Sequence, residues 1–165
     1  MKRILIAGVL AALPATASAG VGVTWSAGAE YGAKGLYTSA FNLPTIDYHQ
    51  DKFVVQVHAI DLVEGLVTDN LQLGLNGYMT TRRAKVNDDV GGVIQPGLSL
   101  DIYAPGFDFG NGLIGFQAQC RMGAQTQKGA GFGIYVVPGL GVGMAGGEAD
   151  VLVSGMLQIS AWTNK

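Results

Sequence analysis

The segment VGVTWSAGAEYG, residues 21–32, puts Val21, Val23, Trp25, Ala27, Ala29 and Tyr31 at odd positions and Gly22, Thr24, Ser26, Gly28 and Glu30 at even ones. Strand side chains alternate between two faces with period two, so this segment has one apolar and one polar face as a strand. A helix would scatter both sets around its circumference.

The pattern recurs along the chain. In DKFVVQVHAID, Phe53, Val55, Val57 and Ala59 oppose Gln56 and His58. In LQLGLNGYM, Leu71, Leu73, Leu75 and Met79 oppose Gln72, Gly74, Asn76 and Tyr78. In VIQPGLSLDIY, Ile94, Leu98, Leu100 and Ile102 oppose Gln95, Gly97, Ser99 and Asp101. In LIGFQAQCRMG, Ile114, Phe116, Ala118, Cys120 and Met122 oppose Gly115, Gln117, Gln119 and Arg121. In VLVSGMLQISAW, Val151, Val153, Leu157, Ile159 and Ala161 oppose Ser154, Gln158 and Ser160. The weakest alternation is in PTIDYHQ, residues 44–50, which extends back toward Leu36 and Phe41. Eight strands are predicted, at 21–32, 40–50, 52–62, 70–82, 92–104, 112–124, 131–145 and 149–162. Turn residues such as Asn87-Asp88-Asp89, Pro105-Gly106 and Gly146-Gly147 separate them.

The run FGIYVVPGLGVGMAGG, residues 132–147, raises a choice between one strand and a hairpin turning at Pro138-Gly139. In a two-residue hairpin Val136 pairs with Gly141, and paired residues share a face. That mixes apolar residues with glycine. In a continuous strand Ile134, Val136, Leu140, Val142 and Met144 share one face. The same test at Pro96 favours continuity. Each proline lacks an N–H, so each is expected to mark a bulge or a missing ladder bond.

The opening MKRILIAGVLAALPATASAG has a basic start at Lys2 and Arg3, an apolar stretch from Ile4 to Leu13, and the small-x-small Ala17-Ser18-Ala19. These are the parts of a secretory signal peptide, with cleavage expected after Ala19. Residues 1–19 are then a cleaved signal and 20–165 a single β-barrel domain. Losing Lys2 and Arg3 moves the formal charge from −2 to −4. With no basic stripe interleaved with aromatics, nucleic acid is not an expected partner. Cys120 is the single cysteine, so no internal disulfide is available; it reads as a small apolar strand residue.

The composition of the polar face separates a membrane barrel from a soluble one. A soluble β-domain fills its wet face with Lys, Glu and Thr. Here that face is Gly, Gln, Ser and Asn, with Glu30, Asp101 and Arg121 as its few charges. The opposite face of the well-patterned strands carries no charge, which fits lipid contact. The predicted fold is therefore all-β, an antiparallel up-and-down transmembrane barrel of eight strands. Such a barrel has room only for its own side chains, so buried polar groups must satisfy one another. Arg121 is expected to pair with Glu30 or Asp101 across the lumen, supported by Gln117, Gln119, Gln72 and Asn76.

In signal peptide, length and strand pattern the chain resembles the small bacterial outer-membrane β-barrel proteins as a class. The resemblance implies an integral outer-membrane protein with a structural, surface-interaction or limited permeability role. It implies two partners, the outer-membrane bilayer and the barrel-assembly machinery, and no cofactor. Members of this class usually end on an aromatic residue, whereas this chain ends AWTNK, with Trp162 in the polar phase.

Two other functions are open to such a sequence. One is a soluble secreted barrel with its apolar face inward around a small apolar ligand. The other is an outer-membrane enzyme acting on lipids. His49 and His58 are the only histidines, and Ser99 and Asp101 share a strand face. A triad is defined by geometry rather than by presence, so catalysis is not the expectation. Two His without nearby Cys or clustered carboxylates make no metal site. The predicted outer loops, near 33–43, 63–69 and 105–111, are short for an adhesive surface. Phe107 and Phe109 in the last of them suit the headgroup level.

Overall fold

The computed structural model describes residues 20–35, 38–41, 44–50, 52–58, 63, 65, 67–126 and 131–163. The expected signal peptide lies outside the described residues. Ten strand segments follow in order: β1 (Gly20–Gly32), β2 (Thr38–Phe41), β3 (Pro44–His49), β4 (Phe53–Val57), β5 (Leu71–Met79), β6 (Arg82–Lys85), β7 (Val90–Ala104), β8 (Leu113–Thr126), β9 (Gly131–Ala145) and β10 (Glu148–Trp162).

They form eight staves. β2 and β3 both pair with β1 in one register, from Tyr31↔Thr38 to Gly20↔His49, and make a single stave. β5 and β6 both pair with β7 and make another. The staves run antiparallel in the order β1, β3, β4, β5, β7, β8, β9, β10, and β10 pairs back to β1 from Gly22↔Trp162 to Gly32↔Leu152. The sheet is a closed barrel and has no free edge along its closing seam. The predicted eight-stranded, up-and-down architecture is what the chain adopts.

Parity decides the two faces. On β1, Val21, Val23, Trp25 and Tyr31 are exposed, while Thr24, Ser26 and Glu30 are buried. On β9, Ile134, Val136, Leu140, Val142 and Met144 are all exposed. The barrel thus inverts an ordinary globular protein, with a polar lumen and an apolar exterior. β9 and β10 have 15 residues each. At about 3.3 Å per residue and a tilt of roughly 40°, such a strand rises roughly 38 Å. That exceeds the apolar band of a membrane barrel, about 25 Å tall.

Within the run at 132–147, residues 132–145 belong to one strand that passes through Pro138, as parity predicts. Its hairpin comes later, at Gly146-Gly147, where Ala145 pairs with Glu148 and both glycines have positive φ, 56° and 83°. That combination is a type I′ turn, which a Pro at the first position cannot enter.

The two prolines act differently. β9 pairs with β8 at Gln119↔Gly139 and again at Met122↔Val136 in an unchanged register. Only the bridges at Cys120 and Arg121 are missing, so Pro138 removes a ladder bond without a bulge. At Pro96 the neighbouring stave changes register, from Tyr78↔Gly97 to Arg82↔Ile94. One extra residue is accommodated there, a bulge between β5 and β6. Thr81 N donates to Ile94 O at 3.1 Å within it.

The start of β1 and the end of β10 share one end of the barrel, called here the terminus end, with the connections after His49, Lys85 and Thr126. The connections after Gly32, Val57, Ala104 and Ala145 lie at the far end. The third predicted strand, 52–62, is described as strand only to Val57; residues 59–62 lie outside the described set.

Candidate functional site

The lumen is the candidate site, and Arg121 is its centre. β8 turns Gln117, Gln119 and Arg121 inward. Arg121 is fully buried, with its guanidinium carbon 3.5 Å from the centroid of the Tyr135 ring and 5.7 Å from that of Tyr78. The second distance places Tyr78 at the outer range of cation–π contact.

Its hydrogen bonds run to Gln95 and Ser160. Arg121 Nη1 donates to Gln95 Oε1 at 3.1 Å, and Nη2 donates to Ser160 Oγ. Ser160 Oγ meets Thr24 Oγ1, and Thr24 donates to Asp47 Oδ2. Each hydroxyl owns one proton. Thr24 gives its proton to the carboxylate, so Ser160 must donate to Thr24, and its lone pair takes the arginine N–H. The direction is therefore set along the whole path: Arg121 to Ser160 to Thr24 to Asp47. The positive and negative ends are joined through two aligned hydroxyl dipoles.

Asp47 is the hub on the other side. Thr45 Oγ1 donates to its Oδ1 at 2.8 Å. Gln56 Nε2 reaches Oδ2 at 3.4 Å, and His49 Nε2 lies 3.3 Å from the same oxygen. The His49 ring stacks on Trp162 with centroids 4.4 Å apart. Gln56 Oε1 in turn accepts from Asn76 and Gln158, each at 3.3 Å, and Asn76 also contacts His58 Nε2 at 3.3 Å. A continuous polar network therefore crosses the lumen from His58, on the far-end side, to His49 at the terminus end.

The expected pairing of Arg121 with Glu30 or Asp101 is not formed. Glu30 is buried in the lumen, but it stands opposite Ser154, six positions along β10 from Ser160. Asp101 lies six positions along β7 from Gln95 and accepts from Ser99 Oγ at 3.2 Å. Six residues of strand are roughly 20 Å, beyond the reach of an arginine. The supporting residues divide accordingly. Gln119 accepts from Tyr78 OH at 2.6 Å and Gln117 from Ser154 at 2.6 Å. Asn76 joins the Asp47 side through Gln56, and Gln72 sits half-buried near the far end.

Sequence reasoning missed Asp47, which is nearly fully buried. Its segment has weak alternation because Tyr48, in the outward phase, is also buried. The inward trio Thr45, Asp47 and His49 did carry a parity signal. Gln95, Tyr78, Gln56, Gln158 and Ser160 were on the polar face by parity, but nothing in the sequence linked them to Arg121.

Glycines let these side chains fit. A Cβ on Gly139 would sit 2.3 Å from Ser154 Oγ, and one on Gly141 would sit 2.0 Å from the backbone oxygen of Phe116. The glycine face of β9 is thus filled by its neighbours' side chains and backbone rather than by open space.

The eight-stranded sheet is closed, with an apolar exterior and a hydrogen-bonded polar interior. This is the fold of a small outer-membrane barrel. Among solved structures the chain is similar to Neisserial surface protein A, with a TM-score of 0.53 at 12% identity, covering 89% of this chain and 97% of that one. It also matches Ail, the attachment invasion locus protein of Yersinia pestis, with a TM-score of 0.37 at 10% identity, covering 88% and 97%. No family model and no curated protein sequence matches the chain.

Ser99 gives its proton to Asp101 on its own strand, while His58 contacts Asn76 on β5 and His49 contacts Asp47. Among the described residues no group of His, Cys, Asp and Glu is arranged to hold a metal ion.

Proposed function

We propose that the chain is an integral barrel of the bacterial outer membrane, non-enzymatic, with a structural or surface-interaction role and a lumen closed to solutes. The inverted distribution of polarity carries this reading. Large apolar side chains such as Val136, Leu140 and Val142 are more than half exposed around the outside, while Arg121, Gln56, Gln117 and Gln158 are fully buried inside. Apolar surface costs about 25 cal/mol per Å² in water, so a girdle of this kind is stable only where lipid covers it. The same fact argues against the soluble reading, which requires the apolar face to be inward.

The closed lumen follows from the network. Tyr78, Tyr135 and Arg121 stack across it, and the amides of Gln56, Asn76 and Gln158 bridge the staves. Conduction would require this network to open. Lipid bilayer and barrel-assembly machinery are the partners the reading implies.

The test is mobility on a gel with and without heating, together with fractionation. A membrane barrel resists unheated detergent and migrates differently after boiling, and it stays with the outer-membrane fraction. Recovery of the folded protein in the soluble periplasm without detergent would overturn the proposal. Planar-bilayer recordings check the lumen, where no steady conductance is expected.

A further inference from the structure

The terminus end of the barrel contains a cavity of about 410 Å³ that the lumen network does not fill. Small-ligand sites have volumes of about 300–1,000 Å³. The two cations on its wall are both engaged: Lys85 pairs with Asp88, and Arg83 has an interaction of its own within the protein. Val54 and Val93, buried members of the interior apolar cluster, give the cavity an apolar side next to Gly91.

The polar side carries hydrogen-bonding atoms that the protein itself does not use. His49 Nε2 lies 3.3 Å from Asp47 Oδ2. A carboxylate only accepts, so the neutral imidazole holds its proton on Nε2 and keeps a lone pair on Nδ1. Among the described residues that lone pair has no partner. Trp162 stacks on the same imidazole with centroids 4.4 Å apart and is 8% exposed. Buried indole N–H groups normally find an acceptor, yet Trp162 Nε1 has none among the described residues. Gln125 Oε1 accepts from Tyr135 OH at 3.0 Å, which leaves its Nε2 as a spare donor. Thr80 Oγ1 accepts from Gln95 Nε2 and Thr126 Oγ1 from the Phe132 N–H, each at 2.8 Å, so each hydroxyl keeps its own proton to give.

We propose that this cavity binds a neutral sugar. A hydroxyl group donates and accepts at one oxygen. That matches a wall on which a single acceptor, His49 Nδ1, stands beside donors on Trp162, Gln125, Thr80 and Thr126. A carboxylate or phosphate only accepts, and would set its negative charge against the His49 lone pair. The C–H face of a sugar ring packs on Val54 and Val93. The cavity and its ligand are independent of the surface-interaction role proposed above.

Trp162 makes the test direct. The chain has two tryptophans, and Trp25 faces outward, so Trp25→Phe leaves Trp162 as the single reporter, at the cavity wall. The full barrel is folded in a polyoxyethylene detergent, which has no sugar headgroup to compete. Glucose, N-acetylglucosamine and maltose are titrated against trimethylamine N-oxide, which has no hydrogen to donate, at equal osmolality. A saturable change in Trp162 emission is expected with at least one sugar and not with the control. Because the ligand is uncharged, its apparent affinity should agree within about twofold at low and high salt.

His49→Phe keeps a ring on Trp162 and removes the Nδ1 acceptor. Gln125→Glu keeps the acceptor that Tyr135 uses and removes the donor. Each should weaken apparent affinity by about threefold to tenfold, as expected for one hydrogen bond. Unheated gel mobility checks that each variant is folded, and Gln125→Glu carries the test if His49→Phe is not. No saturable response to any of the three sugars, a stronger response to inorganic phosphate than to any of them, or an affinity unchanged in the folded variants would overturn the proposal.

Discussion

Arg121 and Asp47 are joined through Ser160 and Thr24, with all of the donated protons pointing toward the carboxylate. The two charges are held apart in a lumen that contains few others, so each is the other's principal electrostatic partner along that path. Removing either deprives the other of its opposite charge along that path.

This relationship predicts a coupling. Arg121→Met and Asp47→Asn should each destabilise the folded barrel by about 3–5 kcal/mol, because breaking a buried charge network strands its remaining member. The double variant should lose less than the sum, with an interaction energy of about 1–3 kcal/mol. Arg121→Met combined with Asp101→Asn should instead be additive within about 0.5 kcal/mol. Urea unfolding from detergent or vesicles measures both cycles.

Gly141 predicts a steric effect rather than an electrostatic one. The neighbour that a Cβ would strike is the backbone oxygen of Phe116, 2.0 Å away, and backbone cannot swing aside as a side chain does. Gly141→Ala is expected to destabilise by about 3 kcal/mol, at the upper end of the overpacking range, or to prevent folding. Gly146→Asn at the β9–β10 turn should be nearly neutral, because a Cβ there meets nothing within 4 Å and Asn tolerates the positive φ. The fraction of protein folded before heating, read from the gel, distinguishes the two.

The exterior predicts a cost that depends on lipid. Leu140 is 61% exposed near the middle of β9. Leu140→Arg should cost about 2–4 kcal/mol of folding free energy in vesicles if the position lies near the bilayer midplane. A soluble barrel would pay almost nothing for an arginine at so exposed a position. Reversible folding into vesicles, followed by Trp emission, checks it.

The loop after β7 predicts a pH response outside the barrel wall. The Asn111 side-chain amide and the Gly110 N–H both donate to Asp108 and hold its carboxyl below the ordinary carboxylate value. A depressed folded pKa means that the stabilisation is present above the unfolded value, about 3.9. It is lost as pH falls through the lower, folded value. Order in the 105–112 loop should therefore persist through neutral and mildly acidic pH and fade only in strong acid. Asp108→Asn should weaken that order at neutral pH and flatten its acid dependence, as read from hydrogen exchange at Gly110.

Much of the architecture was legible because strand parity is a local property. Val21, Val23 and Trp25 on β1, and Ile134 through Met144 on β9, face outward as their alternation requires. Parity also identified residues 131–145 as one strand rather than a hairpin turning at Pro138. The weak segment at 44–50 remained indistinct because Pro44 opens it and the outward-phase Tyr48 is covered, and with it went Asp47. The effects of the two prolines were predictable only as alternatives. A missing bond at Pro138 and a bulge beside Pro96 differ in what the adjacent stave does.

The amino-acid sequence by itself determined which side of each strand is polar, and hence that the barrel is apolar outside and polar within, because period-two alternation needs only neighbouring residues. It named Arg121, Glu30 and Asp101 as interior charges. Only the tertiary structure decided that Arg121 meets Gln95 and Ser160 and connects to Asp47. Strand register and tilt set the height of each residue along the barrel. Those are products of all eight staves closing together, and six positions along a strand separate the carboxylates that parity favoured from the places the guanidinium reaches.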